Sequence, residues 1–437
     1  MSMLRKLSII ALKISLIFLI SIILAVVLLF LAYLIPVSSM FDNAKISSEV
    51  LTSEGKYKEL FWMFFGKPAS RLDNFTDSVM ISEAIFESDK SSLFSAMFNY
   101  HSGWGVEGLA NQVNGIVEPC SYSRYWNGYL IFLKPLLMIF SIRGIRILNI
   151  ILQSLLVVGV CYVFFKKEKR LIIPYLLAIC FINPMVITQS MQFSSIFYLM
   201  NIGVLIVTLF YEKLKSKNIL VYFFLMLGIL TSFFDFLTYP LAALTMPLVV
   251  VVWFDKSETF KEKFIEILKI CVFWAIGYFG FWIAKWVVGS VITGENLITE
   301  ALNQAKYRTT GEIDYAPNQV LVYLAFIINL IPFVNIACFL IFVLCIVALI
   351  LVKIVFETKF VIEKKYVYSF LLIVLMQIVW YTVLSNHSYM HFWFTFRAYV
   401  GPMFAVFAMI AYGFKNFKNR EKEISNEKEN SSTSTML

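Results

Sequence analysis

The sequence predicts an all-α polytopic membrane protein, and its composition carries most of that prediction. The chain has 437 residues, of which 60% are hydrophobic and only 15% are charged, and its mean hydropathy is +0.78. Soluble domains carry about 25% charged residues. Apolar stretches long enough to cross ~30 Å of hydrocarbon recur along the chain. A closed β-barrel would need alternating segments of ~10 residues, which this sequence lacks.

Basic residues predict how the spans are oriented. The net charge is +9, and the lysines and arginines cluster beside apolar stretches, which is the pattern of cytoplasmic loops. These basic clusters are Arg5–Lys6, Lys166–Arg170, Lys213–Lys217, Lys256–Lys269, Lys353–Lys365 and Lys415–Lys422. The placement of the charge therefore predicts the topology, with both termini in the cytoplasm. It does not indicate nucleic-acid binding, and no nucleic-acid partner is expected.

About ten membrane-spanning helices follow from the apolar stretches and this charge rule. The first ends at Pro36 and is too long for the core of a signal peptide. The predicted spans are Leu7–Ile35, Ile145–Phe165, Leu171–Thr188, Ser194–Tyr211, Ile219–Phe233, Leu237–Phe254, Phe264–Val288, a stretch from Val320 to Val352, Tyr366–Leu384 and Ala398–Phe414. Pro332 is expected to break the eighth into a re-entrant piece and a span.

Four segments follow from these spans. Residues 1–36 form the first transmembrane helix and residues 37–143 a long external loop with amphipathic and re-entrant helices. Residues 144–414 form a multi-span membrane domain, and residues 415–437 a disordered cytoplasmic tail.

Three helices are expected in the external loop. Tyr57–Phe65 and Ser78–Phe86 are predicted as amphipathic helices on the membrane surface. Tyr129–Phe140 is apolar but short for a span, and a crossing here would move Lys166–Arg170 outside. It is therefore predicted as an interfacial or re-entrant helix.

The sequence lacks the signatures of cofactor-dependent enzymes. It has no P-loop, no GxSxG motif and no dinucleotide fingerprint. Its six cysteines are scattered, without the spacing of a metal site or a disulfide framework. We therefore expect no cofactor and no metal.

Carboxylates on the external face are the candidate catalytic groups. Asp73 and Asp77 in LDNFTDS are four residues apart and would share a helix face, and Asp42 follows the first span. Paired carboxylates can raise one another's pKa, which suits a general base near neutral pH. Asp235, in SFFDFLTYP, lies between two apolar stretches, where burying an ionisable group in the membrane costs free energy. The residues leave a structural alternative open. Asp73 would then cap a helix that starts near Thr76, and Asp77 would lie in solvent. Asp235 would likewise cap the helix that follows it.

Cationic and imidazole side chains on the same face are the candidate anion ligands. They are Arg124, Arg308, His387, His391 and Arg397, with Tyr125 beside the first. Arginine suits phosphate, and two imidazole donors beside a permanent cation suit an anion. Histidines four apart bind a metal only with a third ligand, which the local sequence lacks. An aromatic belt with snorkelling arginines, a solvated loop, or an aromatic cap on two helices is the alternative.

Four motifs resemble a large family of bacterial membrane proteins, mostly from Gram-positives. They are LDNFTDSVM, RYWNGY followed by FLKPLL, FFDFLTYPL and NHSYMHFWFTFR, in the family's order, and the match runs from about Ser38 to Tyr412. The family usually reads RYWHG, whereas this chain has Asn127 at the histidine.

The layout is also similar to that of the GT-C glycosyltransferases. That resemblance implies a polyprenyl-phosphate-sugar donor, inverting transfer, and an acidic base in the first external loop. Asp77 or Asp73 is the preferred base, whereas the GT-C pattern, in which the acid comes soon after the first span, favours Asp42.

Carboxylates and cations together at the external surface of a bacterial plasma membrane suit a lipid-linked phosphosugar, because expelling a phosphate needs charge stabilisation. We therefore expect a glycosyltransferase that moves a sugar to a cell-wall or surface polysaccharide acceptor. Its phosphate and substrate ligands would be Arg397, His387, His391, Arg124, Arg308, Asp235 and Tyr125. The rival functions are a polysaccharide polymerase or ligase, a lipid-linked-sugar flippase or transporter, and a scaffold.

Overall fold

The computed structural model describes residues 3–60, 67–309, 322–331 and 362–413, most of which are helical. The helices are α1 (Met3–Tyr33), α2 (Phe41–Glu54), α3 (Asn74–Ala84), α4 (Ser92–Phe98), α5 (Gly105–Val113), α6 (Leu130–Leu137), α7 (Ile142–Lys167), α8 (Ile172–Cys180), α9 (Pro184–Ile187), α10 (Met191–Ser216), α11 (Leu220–Phe234), α12 (Leu241–Phe254), α13 (Phe260–Thr293), α14 (Leu297–Thr309), α15 (Val322–Ile328), α16 (Lys364–Val383), α17 (Ser385–Met390) and α18 (Phe392–Gly413). Within the described ranges, one antiparallel sheet pairs β1 (Tyr100–Ser102) with β2 (Pro119–Ser121).

Six helices in the described ranges are long and apolar enough to cross a membrane: α1, α7, α10, α13, α16 and α18. Their outward faces expose large apolar side chains, such as Leu12 (69% exposed) and Val158 (64% exposed). Water penalises such surfaces, whereas lipid tails do not. The chain is therefore an all-α, membrane-embedded protein, as its composition predicts. Helices α11 and α12 are apolar but shorter.

The predicted span Leu171–Thr188 is wrong, because the chain breaks there into α8 and α9. Asn183 has a left-handed backbone (φ 53°), and Pro184 after it lacks the N–H that a continuous helix needs. Helix α8 has nine residues, which rise only about 14 Å. This segment therefore does not cross the bilayer as one helix.

Two other predictions fall largely outside the described residues. Of the stretch from Val320 to Val352, the structure describes α15 and the residues up to Ile331, so the expected break at Pro332 lies outside them. The predicted tail, residues 415–437, lies outside them as well. The total of ten spans stays a prediction.

The segment between α1 and α7, predicted as an external loop, packs as a buried layer instead of lying on the membrane surface. Nine of the eleven residues of α3 are buried, so the prediction of an amphipathic surface helix at Ser78–Phe86 is wrong. Tyr57 and its successors up to Leu60 are not helical, and Glu59 instead pairs in a β-bridge with Arg71. Helix α6 is short, as predicted for Tyr129–Phe140.

Glycines bring α11 and α13 into close contact, which fixes the loop after α11. A Cβ atom on Gly228 would lie 2.2 Å from the Trp274 carbonyl oxygen, and one on Gly277 would lie 2.2 Å from that of Leu225. Small residues permit such approach between helices in a bilayer. The loop between α11 and α12 is therefore held against the outer half of α13.

The basic clusters meet at the opposite end of the bundle. Lys215 donates to the Asp255 carboxylate at 2.5 Å, and Lys263 donates to the other oxygen at 3.2 Å. Lys365 donates to the Glu258 carbonyl at 3.1 Å, and the Tyr366 hydroxyl beside it donates to the Asp255 carbonyl at 3.1 Å. Members of three basic clusters thus converge at one end of the bundle, as the charge rule predicts.

Candidate functional site

Arg308 and His387 form the centre of a polar cluster at the end of the bundle opposite the basic clusters. Arg308, on α14, donates from Nη1 to His387 Nδ1. His387 Nε2–H therefore donates to the Leu237 carbonyl oxygen, at 2.8 Å. Burial, followed by the charge of Arg308, holds the pKa of His387 well below its usual range. His387 is thus a neutral positioning group with both nitrogens occupied, and not the anion donor that the sequence predicts.

Asp235 and Leu237 turn the α11–α12 loop toward this cluster. Leu237 has φ +66°, a left-handed conformation that bulky residues rarely adopt, and its carbonyl points at His387. Asp235 is buried and accepts the Thr238 N–H at 3.1 and 3.2 Å, together with the Thr238 hydroxyl. Burial raises the pKa of Asp235 to about 7, although the Thr238 hydrogen bonds oppose this. The alternative that Asp235 caps the next helix is therefore wrong, because α12 begins at Leu241 and Thr238 lies in the loop before it.

Arg124 adds a second cation from the external segment. It pairs with Glu300 of α14 at 3.0 Å, and its guanidinium lies over the rings of Tyr122 (4.4 Å) and Tyr125 (5.2 Å). Tyr278 of α13 connects the groups, because it interacts electrostatically with Asp235, Tyr125 and Arg308. We call Arg124, Tyr125, Asp235, Arg308 and His387 the groove-mouth cluster.

His391 lies at the edge of this cluster. Its ring is 4.8 Å from that of His387 and 5.1 Å from that of Phe394, centre to centre. Burial, followed by Arg308, lowers the pKa of His391, which makes this ring neutral at physiological pH.

An apolar groove of about 470 Å³ ends at the groove-mouth cluster. It runs between α13 and α16 from Phe264 to Trp282, about 27 Å along α13, and its outer end is formed by Leu237 and Leu384. Its lining is almost wholly apolar, and one side is open. The groove therefore extends along most of the ~30 Å hydrocarbon thickness and faces the lipid.

Asp73 and Asp77 lie in a different, closed cluster. Asp73 caps α3 by accepting the Thr76 N–H at 3.1 Å, and its own N–H donates to Ser190. Asp77 is fully buried, and its two oxygens accept the first N–H groups of α10, from Met191 and Gln192, both at 3.2 Å. The alternative in which Asp77 lies in solvent is therefore wrong, whereas helix capping by Asp73 is confirmed.

Arg397 belongs to this closed cluster and not to the groove mouth. It is fully buried, donates to the carbonyls of Trp393 (3.2 Å) and Ala69 (3.3 Å), and lies over the rings of Phe193 and Phe396. We call Asp73, Asp77, Ser190 and Arg397 the capping cluster. Burial raises the pKa of Asp73 to about 6 and that of Asp77 to about 7.

Asp42 is separated from both clusters. It is exposed in the first turn of α2 and lines a cavity of about 640 Å³ with Phe86 and Glu87. The structure thus brings together Arg124, Tyr125, Asp235, Arg308, His387 and His391 but leaves Asp42, Asp73, Asp77 and Arg397 elsewhere.

Sequence reasoning missed several buried charged residues, and Glu83 and Lys285 are two of them. Glu83 accepts the Tyr129 hydroxyl, and Lys285 donates to Met97 O at 2.6 Å and Asn99 Oδ1 at 3.1 Å. The available signal was a charge inside an apolar segment, SVMISEAIF for Glu83 and WIAKWVV for Lys285.

No group of three His, Cys, Asp or Glu side chains in the described ranges is arranged to hold a metal. Comparisons of the chain with family models, with curated proteins and with solved structures give no match.

Proposed function

We propose that this protein transfers a sugar from a polyprenyl-phosphate donor to a glycan acceptor on the external face of a bacterial plasma membrane. The observation that supports this most is the position of two arginines at the mouth of a lipid-facing groove. A free soluble phosphate would need the cations but not the groove, and a plain lipid would need the groove but not the cations.

Arg308 and Arg124 are the proposed phosphate ligands. Within the described ranges, Arg308 contacts the neutral ring of His387 and forms no ion pair, so we take its charge to be available to an anion. Arg124 pairs with Glu300; the Arg124 side chain is 15% exposed and that of Glu300 is 41% exposed, so the carboxylate is the partner that would turn toward solvent when a phosphate binds. Planar guanidinium groups match phosphate oxygens in a bidentate manner.

The polyprenyl chain would lie in the groove between α13 and α16. Groove lining such as Leu244, Phe279 and Val379 is matched to a hydrocarbon chain. The chain then stays in the bilayer while its phosphate reaches Arg308.

Asp235 is the proposed general base. The acceptor hydroxyl oxygen attacks the anomeric carbon, its proton passes to the Asp235 carboxylate, and the bond from the anomeric carbon to the phosphate oxygen breaks. The electron pair leaves with the polyprenyl phosphate, whose charge Arg308 and Arg124 stabilise. Asp77 and Asp73 remain candidates by resemblance, but they lie in the capping cluster with Arg397 and not in the groove-mouth cluster with Arg308 and Arg124.

The test is mass spectrometry of cell-wall glycans from a strain that lacks the protein. We expect the loss of one side-chain sugar, restored by the wild-type chain. Accumulated short repeat units would instead indicate a polymerase. Unchanged glycans together with altered export of a lipid-linked sugar would indicate a flippase, and either result would contradict the proposal.

A further inference from the structure

A second apolar groove, of about 620 Å³, lies between α6, α7 and α10, and the proposed transfer does not use it. It shares no lining residue with the groove between α13 and α16. Its wall includes Phe132 of α6, Leu152 of α7 and Ile202 of α10, and all three side chains are exposed. Because water penalises such apolar surface and lipid does not, the second groove faces the bilayer.

The second groove is shorter than the first. Along α10 it runs from Met191, where the helix begins, to Ile202, a distance of about 17 Å. The basic residues of α10, Lys213 and Lys215, lie in its last turn, so the groove occupies the half of the bundle away from the basic clusters. Half of the ~30 Å hydrocarbon thickness is about 15 Å. The second groove therefore fits a chain that lies within one leaflet, whereas the first runs across most of the bilayer.

Polar side chains line the second groove near the end at which α10 begins. Ser195 is partly exposed and lies about 6 Å along α10 from Met191. Asn149 of α7 accepts the Tyr198 hydroxyl at 3.0 Å and donates one N–H to Ser194 Oγ at 3.3 Å. The other N–H of this amide has no acceptor among the described residues, so it is a donor that a ligand can use.

This order of polar and apolar groups matches an acyl lipid better than a polyprenyl lipid. The ester carbonyl groups of an acyl lipid accept hydrogen bonds at the top of its chains, and plain hydrocarbon follows. The groove presents Asn149 and Ser195 first, and then Leu152, Leu199 and Ile202. A polyprenyl chain carries no carbonyl group, and its phosphate would find no arginine or lysine among the described residues that line this groove.

Both grooves end at the loop that carries Asp235. Phe234, directly before Asp235, lines the second groove, and Leu237, two residues after it, lines the first. Tyr129 also lines the second groove, and its ring packs against that of Phe236 at 5.0 Å, centre to centre. Lipids in the two grooves would therefore present their head groups to the same loop.

We propose that the second groove binds an acyl chain of a lipid-anchored glycan, and that this glycan is the acceptor of the transfer. The acceptor role rests on the proposed function, whereas binding of the acyl chain does not. Donor and acceptor would then meet within the plane of the membrane, with an acceptor hydroxyl group beside Asp235. This narrows the acceptor from any surface glycan to a glycolipid.

Photo-crosslinking of the purified full-length protein in phosphatidylglycerol nanodiscs tests the proposal. Three probes carry a diazirine in a lipid chain: glucosyl diacylglycerol, phosphatidylglycerol and polyprenyl phosphate. We expect glucosyl diacylglycerol to label α7 and α10 several-fold more than phosphatidylglycerol does, because its sugar hydroxyl groups can donate to the Asp235 carboxylate. Polyprenyl phosphate should label α13 and α16 instead. Mass spectrometry of the labelled peptides locates each crosslink.

Three exposed leucines provide matched variants, because tryptophan can replace a lipid-facing side chain without disturbing the core. Leu152→Trp fills the second groove and should lower its labelling by glucosyl diacylglycerol several-fold, with polyprenyl phosphate unaffected. Leu375→Trp fills the first groove and should have the opposite effects. Leu155→Trp, on α7 but outside the second groove, should change neither.

Three results would overturn the proposal. Labelling by glucosyl diacylglycerol that equals that of phosphatidylglycerol, or that survives Leu152→Trp, would indicate contact with bulk lipid only. Displacement of the label by bare polyprenyl phosphate would assign the second groove to the donor. An unlabelled groove together with dimers in native mass spectrometry would mean that a second copy of the chain covers it.

Failure of the proposed function would look different. If polyprenyl phosphate labelled neither groove while glucosyl diacylglycerol still depended on Leu152, the donor site would fall and the acceptor role with it. The acyl-chain site would then stand alone.

Discussion

The capping cluster and the groove-mouth cluster contain the same kinds of side chains but use them differently. In the capping cluster, the oxygens of Asp77 are engaged by the backbone of α10, and Arg397 donates to carbonyl groups with no exposed surface. In the groove-mouth cluster, Arg308 is partly exposed and donates to the neutral ring of His387. Buried charged groups that the backbone engages hold elements together, whereas a partly exposed cation that forms no ion pair among the described residues can still bind an anion.

The capping cluster therefore fastens the external layer to the bundle. Arg146 of α7 adds to this attachment, since it donates to both Glu54 oxygens, at 2.8 and 3.0 Å, and to Asn74 Oδ1 at 2.8 Å. Mutations in the groove-mouth cluster should therefore lower transfer activity, whereas mutations in the capping cluster should lower stability.

Asp235→Asn should have the largest effect on transfer. Loss of a general base reduces rates on the order of 10²–10⁴-fold. Because Asp235 must be deprotonated to accept the proton, wild-type activity should rise with pH through about 7, and this rise should vanish in the variant. Transfer of labelled sugar by membrane vesicles between pH 5.5 and 8.5 measures both effects. A variant with the wild-type rate and pH profile would remove Asp235 from this role.

Arg308→Ala should have the second-largest effect on transfer. The rate should fall on the order of 10²–10³-fold, as it does when one group that stabilises developing negative charge is removed. Arg308→Lys should recover part of the rate, because it restores the charge without the planar geometry. Retained transfer in Arg308→Ala together with unchanged affinity for polyprenyl phosphate would place the phosphate elsewhere.

Asp77→Asn should have the smallest effect on transfer and act on stability instead. The single amide oxygen of asparagine can replace only one of the two carboxylate oxygens that accept N–H groups of α10. The free energy of unfolding should therefore fall by about 1 kcal/mol, as it does when a helix cap is removed. Thermal unfolding in detergent measures it, and transfer per folded molecule should stay within about twofold. Abolished transfer at unchanged stability would restore Asp77 as the base.

The sequence was sufficient for the fold class and for the ends of most long helices. Composition indicated membrane embedding, and the basic clusters predicted that Lys215, Lys263 and Lys365 lie at the same end of the bundle. The break at Asn183 was harder to predict, because the apolar stretch continues on both sides of a single left-handed residue.

The sequence predicted the members of the site better than their roles. Arg308, His387 and Asp235 do come together, yet which nitrogen of His387 carries the proton depends on contacts with residues 79 and 150 positions away in the chain. Arg397 and Asp77 looked like ligands because composition shows charge but not burial. The departure at Asn127 from the family's histidine falls at a left-handed position, which both residues adopt more readily than most.

The open side of the groove between α13 and α16 has a pharmacological consequence. A competitor that mimics the donor would reach the site sideways from the bilayer, so its potency should follow its concentration in the membrane and not in the medium. Long-chain detergents and fatty alcohols would compete in the same way, which makes the choice of solubilising agent part of any assay.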